Sequence, residues 1–235
     1  MKQFITEQTE DLKQFITELL PDYNNGEPSD MLKVLLAYDM VVRTNFILWL
    51  MLTNGNVQTA EAKQVLEENI KCQIEENHPQ LLLNVIVPAL QFLAVFYSIR
   101  DQYEDVDAVM LPIVAREIRF LTQKAASVKG LFLMALWENS SLVFIPWLNE
   151  ISFHRLAISD GKYFLIHRET DINATAFIEA ASVEFESVIE KLAKSDLKRR
   201  RYYRGQMSIE LGEITESLKR VFSAIFSFAK VPQTV

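Results

Sequence analysis

An all-α protein is what this sequence predicts, and three observations carry the prediction. Only 6 glycines and 7 prolines occur in 235 residues, which leaves long stretches without a helix breaker. Apolar residues return at three- and four-residue spacing almost throughout, the period of a helix with one buried face. Hydrophobic residues make up 49% of the chain and charged residues 23%, the balance of a chain that folds around a core. The expected architecture is a seven-helix bundle. At this length one core suffices and no Gly/Ser/Pro-rich linker divides the chain, so residues 1–235 form one helical domain. Within it, residues 1–28 are an N-terminal helix and loop, 29–229 the bundle core, and 230–235 a tail.

Each element has its signal. A first amphipathic helix covers about residues 2–20 and stops at Pro21, before a polar loop from Asp22 to Pro28. Ser29 or Asp30 can cap a second helix, apolar from Met31 to Thr53, that ends at Asn54-Gly55-Asn56. Thr59 caps a third, running to about Asn77. Pro79 suits the first turn of a fourth helix, where a missing N–H costs nothing; Pro88 should kink it before its end near Arg100. His78 therefore falls at a helix junction. A fifth helix spans about 104–128, with a kink or late start at Pro112, and ends at Lys129-Gly130. The sixth runs from there toward Pro146 and Trp147. Ser159-Asp160-Gly161 is a turn, and helix resumes near Lys162 or after Asp171. The last two helices cover about 174–196 and 206–229, separated by the basic run Lys198-Arg199-Arg200-Arg201.

Charge and cysteine content narrow the function classes. With 24 Lys+Arg against 31 Asp+Glu the net charge is −7, which works against nucleic-acid and anionic-membrane partners. The basic run, with Tyr202, Tyr203 and Arg204, is expected to be a solvated turn between helices. One cysteine, Cys72, excludes an internal disulfide framework and fits a reducing cytoplasm. Glu7, Glu10 and Asp11 leave no signal-peptide apolar core. Asp39, Arg43, Asn84, Pro88 and Glu138 interrupt the apolar stretches, so no run of about 20 residues is expected to span a membrane. A cytoplasmic protein follows; homodimerisation is left open.

Chemistry concentrates around three acids and two of the three histidines. His167 and Asp171 are four residues apart, so on a helix an imidazole and a carboxylate share one face. Glu138 sits in the otherwise apolar run from Gly130 to Ile145, where a carboxylate must find a partner or take up a proton. The structural alternative is an arginine or hydroxyl partner in the core. Lys71, Glu75 and His78 would share a face at i, i+4 and i+7; alone, a histidine placed as His78 is before Pro79 is more often a helix-terminal hydrogen-bonding residue than a ligand. His154 reads as structural or surface, and Trp49, Trp137 and Trp147 as core or pocket wall.

The segment Tyr163-Phe164-Leu165-Ile166-His167-Arg168-Glu169-Thr170-Asp171 resembles the late metal-binding segment of the haem-oxygenase-like diiron oxidases, including the CADD-like proteins. Asn77-His78-Pro79-Gln80-Leu81-Leu82 is similar to that family's earlier histidine segment, and Glu138 occupies the kind of mid-helix position that supplies its bridging carboxylate. The resemblance covers about residues 30–225. It implies a haem-oxygenase/TenA-like bundle, with His78, Glu138, His167 and Asp171 as metal ligands, and O₂-dependent oxidation of a small apolar or amino-acid-derived substrate.

Two departures qualify the implied site. Lys71 stands seven residues before His78, where the family has a metal-binding glutamate, and Ala174 replaces the family's last histidine. An ammonium group is a donor and not a ligand. The expectation is thus one iron or none rather than two, with Lys71 and Ala174 facing the cavity and Glu75 as a substitute ligand. No haem is expected, because no histidine precedes His78. Two rival readings remain: a non-catalytic member of the fold that binds a small molecule or a protein, and a TenA-like cofactor-free hydrolase, which would need Cys72 beside the pocket.

Overall fold

The computed structural model describes residues 1–20, 26–94, 98–158, 161–168, 171–194 and 196–229, without the side chains of Thr44, Ile99, Tyr103, His167, Arg168, Asp171, Ile172 and Asn173. Among them there is no strand, and 90% of residues are helical. The described residues form nine α-helices rather than seven: α1 Lys2–Leu19, α2 Pro28–Asn54, α3 Ala60–Glu75, α4 His78–Leu93, α5 Ile99–Lys124, α6 Ser127–Arg155, α7 Lys162–Arg168, α8 Asp171–Ala193 and α9 Leu197–Phe226, followed by a 3-10 turn Ser227–Ala229. The two extra helices have plain causes. α1 packs against α6, α8 and α9 as part of the core rather than preceding it, through Ile5, Leu12 and Ile16. The segment after Gly161 divides into α7 and α8.

α6 is the centre. Its residues Gly130 to Ser141 are buried without a break, because a helix apolar all round must be covered on every side. α1, α2, α7, α8 and α9 surround it. By length and composition, α2 and α6 each carry a stretch apolar enough to cross a membrane, contrary to the sequence expectation. Of those stretches 59% and 83% respectively are buried inside the bundle.

Several boundaries differ from expectation for local reasons. α2 starts at Pro28, with Glu27 as N-cap, so neither Ser29 nor Asp30 caps it. α4 ends at Leu93, and Ser98 starts α5 by accepting a hydrogen bond from the Asp101 N–H. Lys129-Gly130 lies inside α6. The basic run is the first turn of α9: the Asp196 carboxylate caps the backbone N–H groups of Lys198 and Arg199 at 2.9 and 3.1 Å, holding the segment helical.

Gly130 is where α6 meets α2. A Cβ there would come 2.1 Å from Thr53 Oγ1 and 2.9 Å from Thr53 Cβ. Thr53 is fully buried, and its hydroxyl donates to the Trp49 carbonyl at 2.7 Å. Gly130→Ala should therefore push the helices apart, costing about 2 kcal/mol and lowering Tm by about 4–8 °C. Thermal unfolding followed by circular dichroism checks this, and Thr53→Gly in the same chain should restore part of the loss.

Two buried acids tie the bundle together. Glu184 on α8, fully buried, accepts from the Gln58 N–H, the Thr59 N–H and hydroxyl, and the Ser127 hydroxyl, all at 2.8–3.2 Å. It thereby ties the residues that lead into α3 to the start of α6 with one side chain. Thr59 is the N-cap residue of α3 as expected, but its hydroxyl makes no capping bond and donates to Glu184 instead.

Glu117 on α5 accepts from Arg220 at 2.8 Å and Ser217 at 2.7 Å on α9, and from its neighbour Arg116. Burial opposes its ionisation, yet these hydrogen bonds outweigh it and hold the carboxyl down at about 2 against an ordinary 4.5. With a folded pKa below the unfolded one, this stabilisation is complete above about pH 4.5 and fades as pH falls toward 2. Both arginines reach solvent, so a loss of about 2 kcal/mol is expected. Acid titration of stability should show a shallower slope in Glu117→Gln.

Candidate functional site

Glu138 is the single charged-type side chain in the buried run of α6, and it is 4% exposed. No cation pairs with it among the described residues; it hydrogen-bonds with buried Asn69 of α3. Burial pushes its carboxyl up to about 7, and the Asn69 bond tempers the rise. Glu138 is thus an acid that can hold or release a proton near neutral pH.

His78 reaches the same place from a different helix. α3 stops at Glu75, and Asn77 takes the left-handed conformation at φ 52°, ψ 50°, which asparagine tolerates better than most residues. That turn re-aims the chain so that His78, the first residue of α4, points inward at 4% exposure. Its Nε2 lies 2.8 Å from the Glu76 carboxylate.

α2 and α7 close the site. Tyr38 and Tyr163 are buried with their hydroxyls 2.8 Å apart, and burial raises both phenols above their usual range. The Tyr38 ring lies nearly parallel to Trp137, with 6.4 Å between centroids, and Trp137 in turn meets Trp49, Phe144 and Phe222. His78, Glu138, Tyr38, Tyr163, Gln73 and Trp137 line one cavity of about 20 Å³, room for a water molecule or an ion. The rest of its lining is apolar, with Val42, Phe46, Ile47, Pro79 and Leu82, apart from Ser141 and Arg43. Arg43 pairs at 2.9 Å with Asp39, whose carboxyl is raised by burial against the pull of that arginine.

The expected ligands are distributed unevenly. His78 and Glu138, 60 positions apart, meet at this cavity. The backbones of His167 and Asp171 lie in the last turn of α7 and at the start of α8; their side chains lie outside the described residues. Lys71 and Glu75 do not face the cavity: their side chains are 70% and 65% exposed and pair with each other at 3.8 Å. The inward stripe of α3 is Ala62, Leu66, Asn69 and Gln73, and Lys71 lies two residues, about 200°, around from it. The continuous helical face assumed for Lys71, Glu75 and His78 is broken at Asn77. Ala174 is buried but lines a separate groove with Thr9 and Asn139 between α1, α6 and α8.

Several participants were not singled out from sequence. Asn69 and Gln73 carried a usable signal, since they are polar residues at core positions of an amphipathic helix. Tyr38 did not stand out in an apolar run. Cys72 forms a cluster with Glu76 and His78 at the corner between α3 and α4, their ligand atoms all within 4.8 Å of one another. His154 is half exposed and pairs with Glu150, one turn before it, at 3.1 Å.

Fold and cavity together define an all-helical protein with a buried acid and imidazole facing a small, aromatic-walled space. No protein-family model, curated protein or solved structure matches the chain.

Proposed function

We propose that this protein is related to the haem-oxygenase-like oxidases, with a site for one iron ion between His78 and Glu138, and that it acts on a small organic molecule with O₂. The observation that carries the reading is Glu138. A fully buried carboxyl without a cationic partner among the described residues, held near pKa 7, is unfavourable for folding and suits a ligand or proton-transfer group. An imidazole and a carboxylate on one cavity are donors that fit a first-row ion. α3 turns the amides Asn69 and Gln73 inward, not carboxylates, which supports one ion over two.

When bound, iron would supply O₂ activation. The chain's own contribution is positional. His78 and Glu138 would hold the ion, and the layer of Trp137, Tyr38 and Phe46 keeps bulk water out. The cavity itself is too small for an organic substrate, which would lie against its outer lining beside Val42, Ile47 and Arg43. There Arg43 offers its guanidinium to a carboxylate, in keeping with an apolar or amino-acid-derived acid. The hydrolase alternative draws no support from Cys72, whose thiol is pushed up to about 11 by burial and by the neighbouring Glu76 carboxylate, the wrong direction for a nucleophile.

Oxygen uptake by iron-loaded protein tests the reading. The parent chain should consume O₂ at least about tenfold faster than Glu138→Gln treated identically, a loss of about 1.4 kcal/mol or more in barrier terms. Equal rates would reject oxidase chemistry at Glu138 and leave the binding-only reading in its place.

A further inference from the structure

The corner between α3 and α4 gathers three different metal-ligating side chains within six residues. Cys72 and Glu76 are one turn apart at the end of α3, and the left-handed Asn77 brings His78 back toward them. His78 Nε2 is 2.8 Å from Glu76 Oε2, the Cys72 thiol is hydrogen-bonded with Glu76, and all three ligand atoms fall within 4.8 Å of one another. We propose that Cys72, Glu76 and His78 form a binding site for a soft divalent cation, Zn²⁺ being the natural occupant, separate from the iron reading of the inner cavity.

The donor set selects the metal. One sulfur, one imidazole nitrogen and one carboxylate oxygen favour Zn²⁺ or Co²⁺ over Mg²⁺ and Ca²⁺, which take oxygen ligands. Zinc bonds of about 2.0–2.3 Å to these atoms put tetrahedral ligands about 3.3–3.7 Å apart, so the His78–Glu76 pair opens by about 0.5 Å from 2.8 Å while the widest contact, within 4.8 Å, closes by about 1 Å. Glu76 is 45% exposed and can swing; Cys72 is partly exposed. His78, buried at its side chain, supplies the fixed point. Binding forms the sulfur–metal bond and releases the thiol proton to solvent. Thiolate and carboxylate together then balance the two positive charges, and three protein ligands leave a fourth position for water.

Two features make the geometry more than adjacency in sequence. A regular helix would put residue 78 about a third of a turn around from residue 72, since six residues advance about 600°; the break at Asn77 offsets that rotation. The corner also opens to solvent through Glu76, giving the cation an entry path. Because both sites draw on His78, Zn²⁺ at the corner and iron in the cavity should exclude each other on one chain.

Cobalt titration of the metal-free full chain reads the site directly. Since Cys72 is the only thiol, a sulfur-to-cobalt charge-transfer absorption can arise from no other residue. The expected result is such a band, saturating at about one Co²⁺ per chain and abolished by equimolar Zn²⁺. Cys72→Ser should remove the band, and Glu76→Gln should weaken Co²⁺ binding about tenfold or more. Glu138→Gln should leave the band and its affinity unchanged. No band in the parent chain, or binding within twofold of the parent in both Cys72→Ser and Glu76→Gln, would overturn the proposal. Failure of the iron reading shows instead in Glu138→Gln with Fe(II), a comparison that Cys72 does not enter.

Discussion

Glu184→Ala will be the most destabilising of the single substitutions considered, costing about 3 kcal/mol and lowering Tm by about 6–12 °C. The carboxylate accepts four groups at once: two backbone N–H groups at the start of α3 and two hydroxyls, one of them opening α6. Alanine leaves the N–H groups of Gln58 and Thr59 without that acceptor and removes a charged-acceptor bond to Ser127. Glu184→Gln keeps the shape and one acceptor oxygen, so it should lose about half as much. Denaturant unfolding of the three proteins checks the order. Equal stability of the parent and the alanine variant would mean that neither helix start depends on Glu184.

The second large effect has the opposite sign. Glu138→Gln will stabilise the metal-free protein at pH 8 by on the order of 3 kcal/mol. The native carboxyl, near 7, keeps its proton between about pH 4.5 and 7, where the unfolded chain has released it. The native state thus binds more protons, and stability falls as pH rises through that window and levels off above about 7. Glutamine retains a hydrogen-bonding oxygen for Asn69 and carries no charge to desolvate, so its stability should be flat over the same range. Unfolding of both proteins at pH 5 and pH 8 distinguishes them: the parent should be markedly weaker at pH 8 and the variant nearly unchanged. A parent equally stable at both values would show that Glu138 ionises normally.

The contrast between these acids explains how much of the protein was legible in its sequence. Glu138 announced itself, because one acid in an unbroken apolar run has no solvent face to serve. Glu184 did not, since α8 carries acids at Glu179, Glu184, Glu186 and Glu190 and only tertiary packing turns one of them toward two helix starts. Helix content was legible from periodicity, whereas boundaries that depend on partners were not. Asp196 capping kept the basic run helical, and Thr53 packing placed Gly130 inside α6 where its composition suggests a stop. At the candidate site, spacing brought His78 and Glu138 to attention. The register of α3 was hidden by one residue, Asn77, whose left-handed turn broke the face on which Lys71 and Glu75 were placed. The cavity-facing place expected for Lys71 lapses with its exposure, and the proposal of a single ion rests instead on the inward amides.

The most direct measurement of the central claim is iron bound per chain, after anaerobic Fe(II) loading and removal of free metal, in the parent, Glu138→Gln and Cys72→Ser. A cavity site built on His78 and Glu138 predicts about one iron in the parent, about one in Cys72→Ser, and less than about a tenth in Glu138→Gln. Equal iron in the parent and Glu138→Gln, or none in the parent, would contradict it.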